Sequence, residues 1–273
     1  MSGVIIASVL ALGGLGVIFA VGLALANAKL AVGRDPLAEE ILELLPGANC
    51  GACGLAGCEA YAEALAAGKV PPNLCTPGGN ETAEKIAELL GVEAEEQEKS
   101  LAIVHCNRSN PKQSVEYRGI KDCKAALLVN DRIYDCEYAC LGLGTCARAC
   151  PFEAIVMSDE GLPIIIEERC TGCGVCADVC PKDIISVENA SDFVHIQCRS
   201  RDKGGVARKN CERACIGCGR CAKVCPVEAI EIKDFLAVID CEKCISCGKC
   251  VPECPTGAIG NFRQIRRRKA GVA

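Results

Sequence analysis

Cysteine is the residue whose number and spacing imply chemistry in this chain: 25 of 273 positions, set in tight runs rather than scattered. Cys215-x2-Cys218-x2-Cys221-x3-Cys225-Pro226 and Cys244-x2-Cys247-x2-Cys250-x3-Cys254-Pro255 both follow the spacing that wraps 4Fe–4S cubes. In that pattern three close thiolates hold one cube, and the fourth, beyond a turn and followed by proline, ligates the other cube of the pair. The interleaved Gly217, Gly219 and Gly248 permit the tight backbone turns such a loop needs. Zinc also takes thiolates, but its sites favour four ligands as two short pairs, unlike two extended runs about 29 residues apart.

Cys170-x2-Cys173-x2-Cys176-x3-Cys180-Pro181 is a third complete run, and its partner upstream is altered: Cys136-x3-Cys140-x5-Cys146-x3-Cys150-Pro151. Sliding the chain by 75 positions superimposes Cys136, Cys140, Cys146 and Cys150 on Cys211, Cys215, Cys221 and Cys225, and also lays Cys123 on Cys198. The chain therefore contains an internal repeat of a two-cluster unit. Leu143 falls opposite Cys218, so the first unit lacks its middle ligand. Cys136 is the nearest replacement; a three-cysteine site, short of one iron or completed by another residue type, is the alternative.

Crossing the fourth cysteines predicts four cubes. The sets are Cys136, Cys140, Cys146, Cys180; Cys170, Cys173, Cys176, Cys150; Cys215, Cys218, Cys221, Cys254; and Cys244, Cys247, Cys250, Cys225. A fifth site is Cys50-x2-Cys53-x4-Cys58-x16-Cys75, whose spacing would also admit zinc but whose neighbours favour iron. Five 4Fe–4S clusters use twenty cysteines and leave Cys106, Cys123, Cys198, Cys211 and Cys241 as buried apolar thiols, or as a further metal or redox pair. Metal-type spacing and an odd total argue against a disulfide framework. Clusters with complete cysteine ligation have no open coordination position, so they carry electrons and do not activate substrates.

The elements that must hold these loops are legible in outline. Residues 4–26 are almost wholly apolar and the first 28 carry no charge, which predicts a single membrane-crossing helix. A cleaved signal peptide ending at Ala24-Leu25-Ala26 is the competing reading, but it lacks a basic leader. Lys29 and Arg34 follow the span, so the bulk of the chain is expected on the cytoplasmic side of the cell membrane. Gly16, Ala20 and Ala24 would let another helix approach closely, or simply reflect the small residues common in spans. Short helices are predicted over 35–45, 56–67 and 81–90, and strands over 162–167 and 236–240. The fold class is α+β: an anchor (1–28), a small helical iron–sulfur domain (29–99), and two dicluster ferredoxin-like modules (100–190 and 191–273), with clusters serving as cores.

Five Phe, four Tyr and no Trp leave little else to fill those cores. Residues 35–99 carry a net charge of −10 and residues 100–273 a net +3, within an overall −5 that argues against a nucleic-acid binder. Gly142-Leu143-Gly144 sits inside a ligand run with no strand before it and is not a dinucleotide loop. His105 and His195 read as ordinary strand-end residues, and the basic tail (Arg263, Arg266, Arg267, Arg268, Lys269) as a solvated terminus that could touch anionic lipid headgroups.

The uncharged anchor, the segment Pro46-Gly47-Ala48-Asn49-Cys50-Gly51-x-Cys53-Gly54-x-x-Gly57-Cys58 and the modules behind it resemble the B subunits of Rnf complexes, over nearly the whole chain and in their longer form. Leu143 departs from the standard run. The resemblance implies a complex that oxidises reduced ferredoxin, reduces NAD and pumps Na+ or H+. This chain would be an electron-relaying subunit with no catalytic site of its own, and soluble ferredoxin would be its donor. Other membrane subunits and flavin- and NAD-binding subunits would be its partners. Another membrane oxidoreductase, such as a hydrogenase or dehydrogenase, or a zinc-bound scaffold, are the alternatives. Ferredoxins are generally acidic, so docking is expected on the more basic C-terminal modules, near Lys223, Lys243 and Lys249.

Overall fold

The computed structural model describes residues 2–30, 35–109, 114–130 and 132–262. The basic tail lies outside them. Helix α1 (Ser2–Leu30) contains the uncharged segment and carries Lys29 in its last turn, and its Ile5–Lys29 stretch is long and apolar enough to cross a membrane. At 1.5 Å per residue those 25 residues span about 38 Å, and large apolar side chains such as Leu10, Phe19 and Leu23 lie exposed around it. A helix apolar on every side needs lipid or other helices to cover it.

Three helices follow, close to the predicted ranges. Helix α2 (Pro36–Leu44) starts with proline at its first turn, and the Asp35 side chain accepts the Leu37 N–H at 3.0 Å. Helix α3 (Cys58–Ala66) and helix α4 (Gly79–Leu90) complete the layer, the latter closed by Gly91 in the left-handed conformation. Ile41, Leu45, Tyr61, Leu65 and Ile86 form their core. This domain therefore has an apolar centre apart from its cysteines.

The rest is built twice. The first unit runs β1 (Ser100–Val104), α5 (Cys123–Val129), α6 (Thr145–Ala149), β2 (Ile155–Met157), β3 (Pro163–Ile165), α7 (Val175–Asp178) and β4 (Ile185–Asn189). The second runs β5 (Val194–Ile196), α8 (Gly204–Asn210), α9 (Arg220–Lys223), β6 (Ile230–Lys233), β7 (Leu236–Ile239), α10 (Cys250–Glu253) and β8 (Ile259–Asn261). In each, the first strand pairs antiparallel with the last and the two inner strands pair with each other: β1 with β4, β2 with β3, β5 with β8, β6 with β7. The strands predicted at 162–167 and 236–240 are β3 and β7, the second arms of the inner ribbons.

The core of the second unit mixes Val194, Ile230, Leu236 and Ile259 with Cys215, Cys221 and Cys250, and the first repeats the mixture with Leu101, Ile155, Ile184, Cys140, Cys170 and Cys176. Cysteine takes the places that aromatic side chains would fill elsewhere.

The gapless 75-residue register breaks upstream of Cys136. Cys106 follows β1 by two residues and Cys198 follows β5 by two, so these two correspond, and Cys123 does not match Cys198. Thirty positions separate Cys106 from Cys136, but only 13 separate Cys198 from Cys211. The surplus in the first unit carries α5, with Cys123 at its start.

Candidate iron–sulfur centres

In the acidic domain the loop before α3 is fastened by Asn49, a non-glycine residue at φ 48°, whose Oδ1 accepts the Cys58 N–H at 2.9 Å. Gly57 must be glycine for two reasons: its φ is 125°, and a Cβ there would stand 2.8 Å from Asn49 Oδ1. Buried Tyr61 donates its hydroxyl hydrogen to Pro71 O (3.0 Å) and accepts the Leu74 N–H (3.1 Å), pinning the strand of chain that delivers Cys75. Burial raises the Cys75 thiol, and nearby Cys58, Cys50 and Cys53 add to the rise, so the four predicted ligands share one neighbourhood.

The ferredoxin runs use one backbone device repeatedly. A Cβ on Gly172 would lie 2.7 Å from Ser100 O, and one on Gly217 would lie 2.7 Å from Phe235 O. The loop presses its backbone onto the neighbouring strand at the residue just before a ligand cysteine. After the last cysteine of each run comes proline and then, at the third position, a left-handed residue: Glu153, Asp183, Glu228 and Gly257. That turn aims the next amide at the cysteine sulfur. Ala154 N–H reaches Cys150 Sγ at 3.4 Å, Ala229 N–H reaches Cys225 Sγ at 3.3 Å and Ala258 N–H reaches Cys254 Sγ at 3.3 Å. Strand amides do the same for Cys170 (from Ala102, 3.4 Å) and Cys215 (from Ala237, 3.4 Å). Such donors favour a sulfur that bears negative charge.

The structure brings most predicted ligands together. Cys215, Cys218, Cys221 and Cys254 line one cavity of about 340 Å³. Burial pushes Cys250 up to about 11, helped by Cys221, Cys244 and Cys247, and Cys225 packs against the same core. Cys176 is pushed up to about 12 by burial and by Cys170, Cys173, Cys146 and Cys150.

Cys140, Cys146 and Cys180 line a cavity of about 380 Å³, and the fourth cysteine in its wall is Cys123. Burial lifts Cys146 to about 11, with Cys123 and then Cys180 adding to the rise. Cys123 is held by a small network: its N–H donates to Thr145 Oγ1 at 2.8 Å, and Thr145 Oγ1 donates to Asp122 Oδ2 at 3.0 Å. Asp122 Oδ1 also caps α5 through the Ala125 N–H at 2.9 Å. Cys136 lies elsewhere, in a cavity with Cys106, Cys198 and Cys211, and burial followed by these three neighbours raises it to about 12. Spacing alone does not bring Cys123 to the cavity of Cys140, Cys146 and Cys180, because the repeat is aligned without a gap. The available clue was that Cys106 and Cys198 both close a short apolar run.

No disulfide joins the cysteines, all of which are free. Among the described residues no group of three or more His, Cys, Asp or Glu side chains has the spacing of a site for one metal ion. Thiolates on a single zinc stand about 2.3 Å from it, whereas an inorganic cube holds its four cysteines farther apart. The donor sets, all thiolate and drawn mostly from extended runs with a remote fourth cysteine, are of the kind that cubes take.

Several neighbouring cysteine groups touch electrostatically. Cys50 contributes to the environment of Cys173, Cys146 to that of Cys176, and Cys221 to that of Cys250. Of the two histidines, His105 bridges the units, its Nδ1 2.7 Å from Ile196 O and its Nε2 2.6 Å from Ser186 Oγ; burial lowers its pKa to about 4. His195 is buried within β5 against Phe262.

Residues 45–77 match an Fe-S cluster family, and residues 135–187 and 214–258 match two 4Fe-4S dicluster domain families. The chain is 44% identical to the B subunit of an ion-translocating oxidoreductase complex of Methanosarcina acetivorans, over 89% of this chain and 93% of that one. It is 46% identical to the B subunit of a proton-translocating ferredoxin:NAD(+) oxidoreductase complex of Clostridium ljungdahlii, over 83% and 81%. Identity is 40% to the B subunit of a Na(+)-translocating ferredoxin:NAD(+) oxidoreductase complex of Acetobacterium woodii, over 85% and 70%.

Proposed function

Because this chain belongs to the family of B subunits of ion-translocating oxidoreductase complexes, we propose that it relays electrons from reduced ferredoxin to the membrane-bound partners of such a complex. The observation that carries this reading is the succession of all-cysteine sites, neighbours being electrostatically in touch from the acidic domain through the first module and again within the second. Such sites pass single electrons and leave the catalytic flavin and NAD chemistry to other subunits.

In this reading the chain divides into an anchor (1–28), an acidic cluster domain (29–99) and two dicluster modules (100–190, 191–273). Five 4Fe–4S clusters are held by Cys50, Cys53, Cys58, Cys75; Cys123, Cys140, Cys146, Cys180; Cys150, Cys170, Cys173, Cys176; Cys215, Cys218, Cys221, Cys254; and Cys225, Cys244, Cys247, Cys250. Cys123 takes the place that spacing alone gives to Cys136, because it shares the cavity of the other three ligands. The apolar α1 anchors the chain in the cell membrane, and Lys29 after the span supports a cytoplasmic bulk.

Ferredoxin would enter at the second module. Cys247 and Cys218 are exposed there, as are Ile245 and the three lysines Lys223, Lys243 and Lys249. Mixing the anaerobic complex with reduced ferredoxin and following cluster bleaching in the visible tests this. Bleaching is expected to slow several-fold between low and physiological salt, and Lys243→Glu or Lys249→Glu should reproduce the slowing. Rates indifferent to salt would remove the docking site, and no bleaching at all would remove the relay.

A further inference from the structure

Four of the cysteines outside those five sites meet where the two ferredoxin-like units join. Each unit contributes the same pair of positions: the cysteine two residues beyond its first strand (Cys106, Cys198) and the one four residues before its first run cysteine (Cys136, Cys211). All four line one cavity, as the cysteines of two of the proposed cluster sites each do. We infer that this joint holds a sixth 4Fe–4S cluster, ligated by Cys106, Cys136, Cys198 and Cys211. The inference rests on cubes filling the other sites.

Two independent features point to a ligand with negative charge. The first is the donor pattern already seen at the cluster sites. Cys140 N–H donates to Cys106 Sγ at 3.4 Å, while Cys215 N–H and Ser200 N–H donate to Cys198 Sγ at 3.3 and 3.4 Å. The second is cationic. Among the described residues the cavity wall holds Arg108, Arg199 and Arg213 and no Asp or Glu. Arg108 is only 6% exposed, stacks over Tyr134 at 4.6 Å and keeps a buried Nε with no hydrogen-bond partner; Arg199 Nε is likewise without one. Arg108 is a buried guanidinium that donates from Nη2 to Gly161 O at 3.3 Å, and with no carboxylate in the cavity wall its charge calls for an anion, which a cube bound by four thiolates is.

The place is also one where a relay needs a centre. Cys140 belongs to the first unit's cluster sites and Cys215 to the second's, and their amides bond directly to Cys106 and Cys198. A cube here would accept one electron from the cube on one side and pass it to the other. It would complete an unbroken series from the acidic domain to the exposed end, and Cys241 alone would be left without a cluster.

The full chain, purified anaerobically in detergent, is assayed for iron, acid-labile sulfide and zinc. About 24 iron and 24 sulfide atoms per chain are expected, falling to about 20 in Cys198→Ser and Cys211→Ser and unchanged in Cys241→Ser. About 20 irons in the wild type, unaltered by Cys198→Ser, would overturn the sixth cluster while leaving five. One zinc lost in these variants beside 20 irons would overturn it too. A chain without iron would defeat the underlying reading instead. Should the variants fail to fold, an iron-edge anomalous map of the wild type decides: cube-sized density among the four sulfurs is expected, and its absence refutes the site.

Discussion

Leu143 stands where the repeat has Cys218, and Cys123, at the start of a helix 20 residues upstream, lines the cavity of Cys140, Cys146 and Cys180. The cavity shared by Cys123 and the other three cysteines makes Cys123→Ser a one-cluster lesion. Iron should fall by between one and about four atoms per chain, with electron paramagnetic resonance reporting either a three-iron centre or one cube fewer. An unchanged spectrum would return the role to another residue. Backbone conformation is equally local in its effects. Gly172→Ala adds a left-handed Cβ 2.7 Å from Ser100 O and should cost about 2–5 kcal/mol, read as earlier thermal bleaching. Glu228 already occupies a left-handed position at φ 51°, so Glu228→Gly relieves strain there. That change should be neutral or stabilising by up to about 1 kcal/mol in the same assay.

At the scale of elements, the three helices of the acidic domain lie within a residue or two of where apolar spacing and Pro or Gly punctuation put them. Local signals suffice for them because caps and periodicity act over a few residues. Of the strands, the second arms of the inner ribbons were legible, since each sits just before a cysteine run. The outer ribbons were not, because Ser100 pairs with Asn189 and Val194 with Asn261 across the whole unit. Nothing near β1 announces β4. The acidic domain offers a clean test of an element held by one side chain. Tyr61→Phe leaves Pro71 O and Leu74 N–H without their partner and should cost about 1–3 kcal/mol. Cluster loss on mild heating should then begin at the Cys50–Cys75 site, leaving the dicluster signals in place. Uniform loss across all clusters would contradict this.

The whole molecule has two kinds of core, and they predict two responses to iron removal. Residues 35–91 bury Ile41, Tyr61, Leu65 and Ile86 against one another, whereas beyond residue 120 the centres are short aliphatics around cysteine. Burial raises many of those thiols well above their ordinary range, so cluster binding must displace their protons. Metal binding and folding are then one process. Chelation is expected to abolish amide protection in β2, β3, β6 and β7 within seconds of exchange, while α3 and α4 keep part of theirs. A cooperative, well-dispersed apo spectrum of the C-terminal units would refute it.

The chemistry, the repeat and the membrane-length helix were fixed by the order of residues alone. In the three complete runs the loop wraps its cube, so three ligands are neighbours in the chain, and 23 almost wholly apolar residues need no partner to be recognised. The tertiary structure decided what arrives from afar: Cys123 in the cavity of Cys140, Cys146 and Cys180, and Cys106, Cys136, Cys198 and Cys211 around one joint. Those meetings depend on strand pairing and on an insertion in one copy of the repeat. The energies that set both are shared among contacts tens of residues apart, and no local spacing records them.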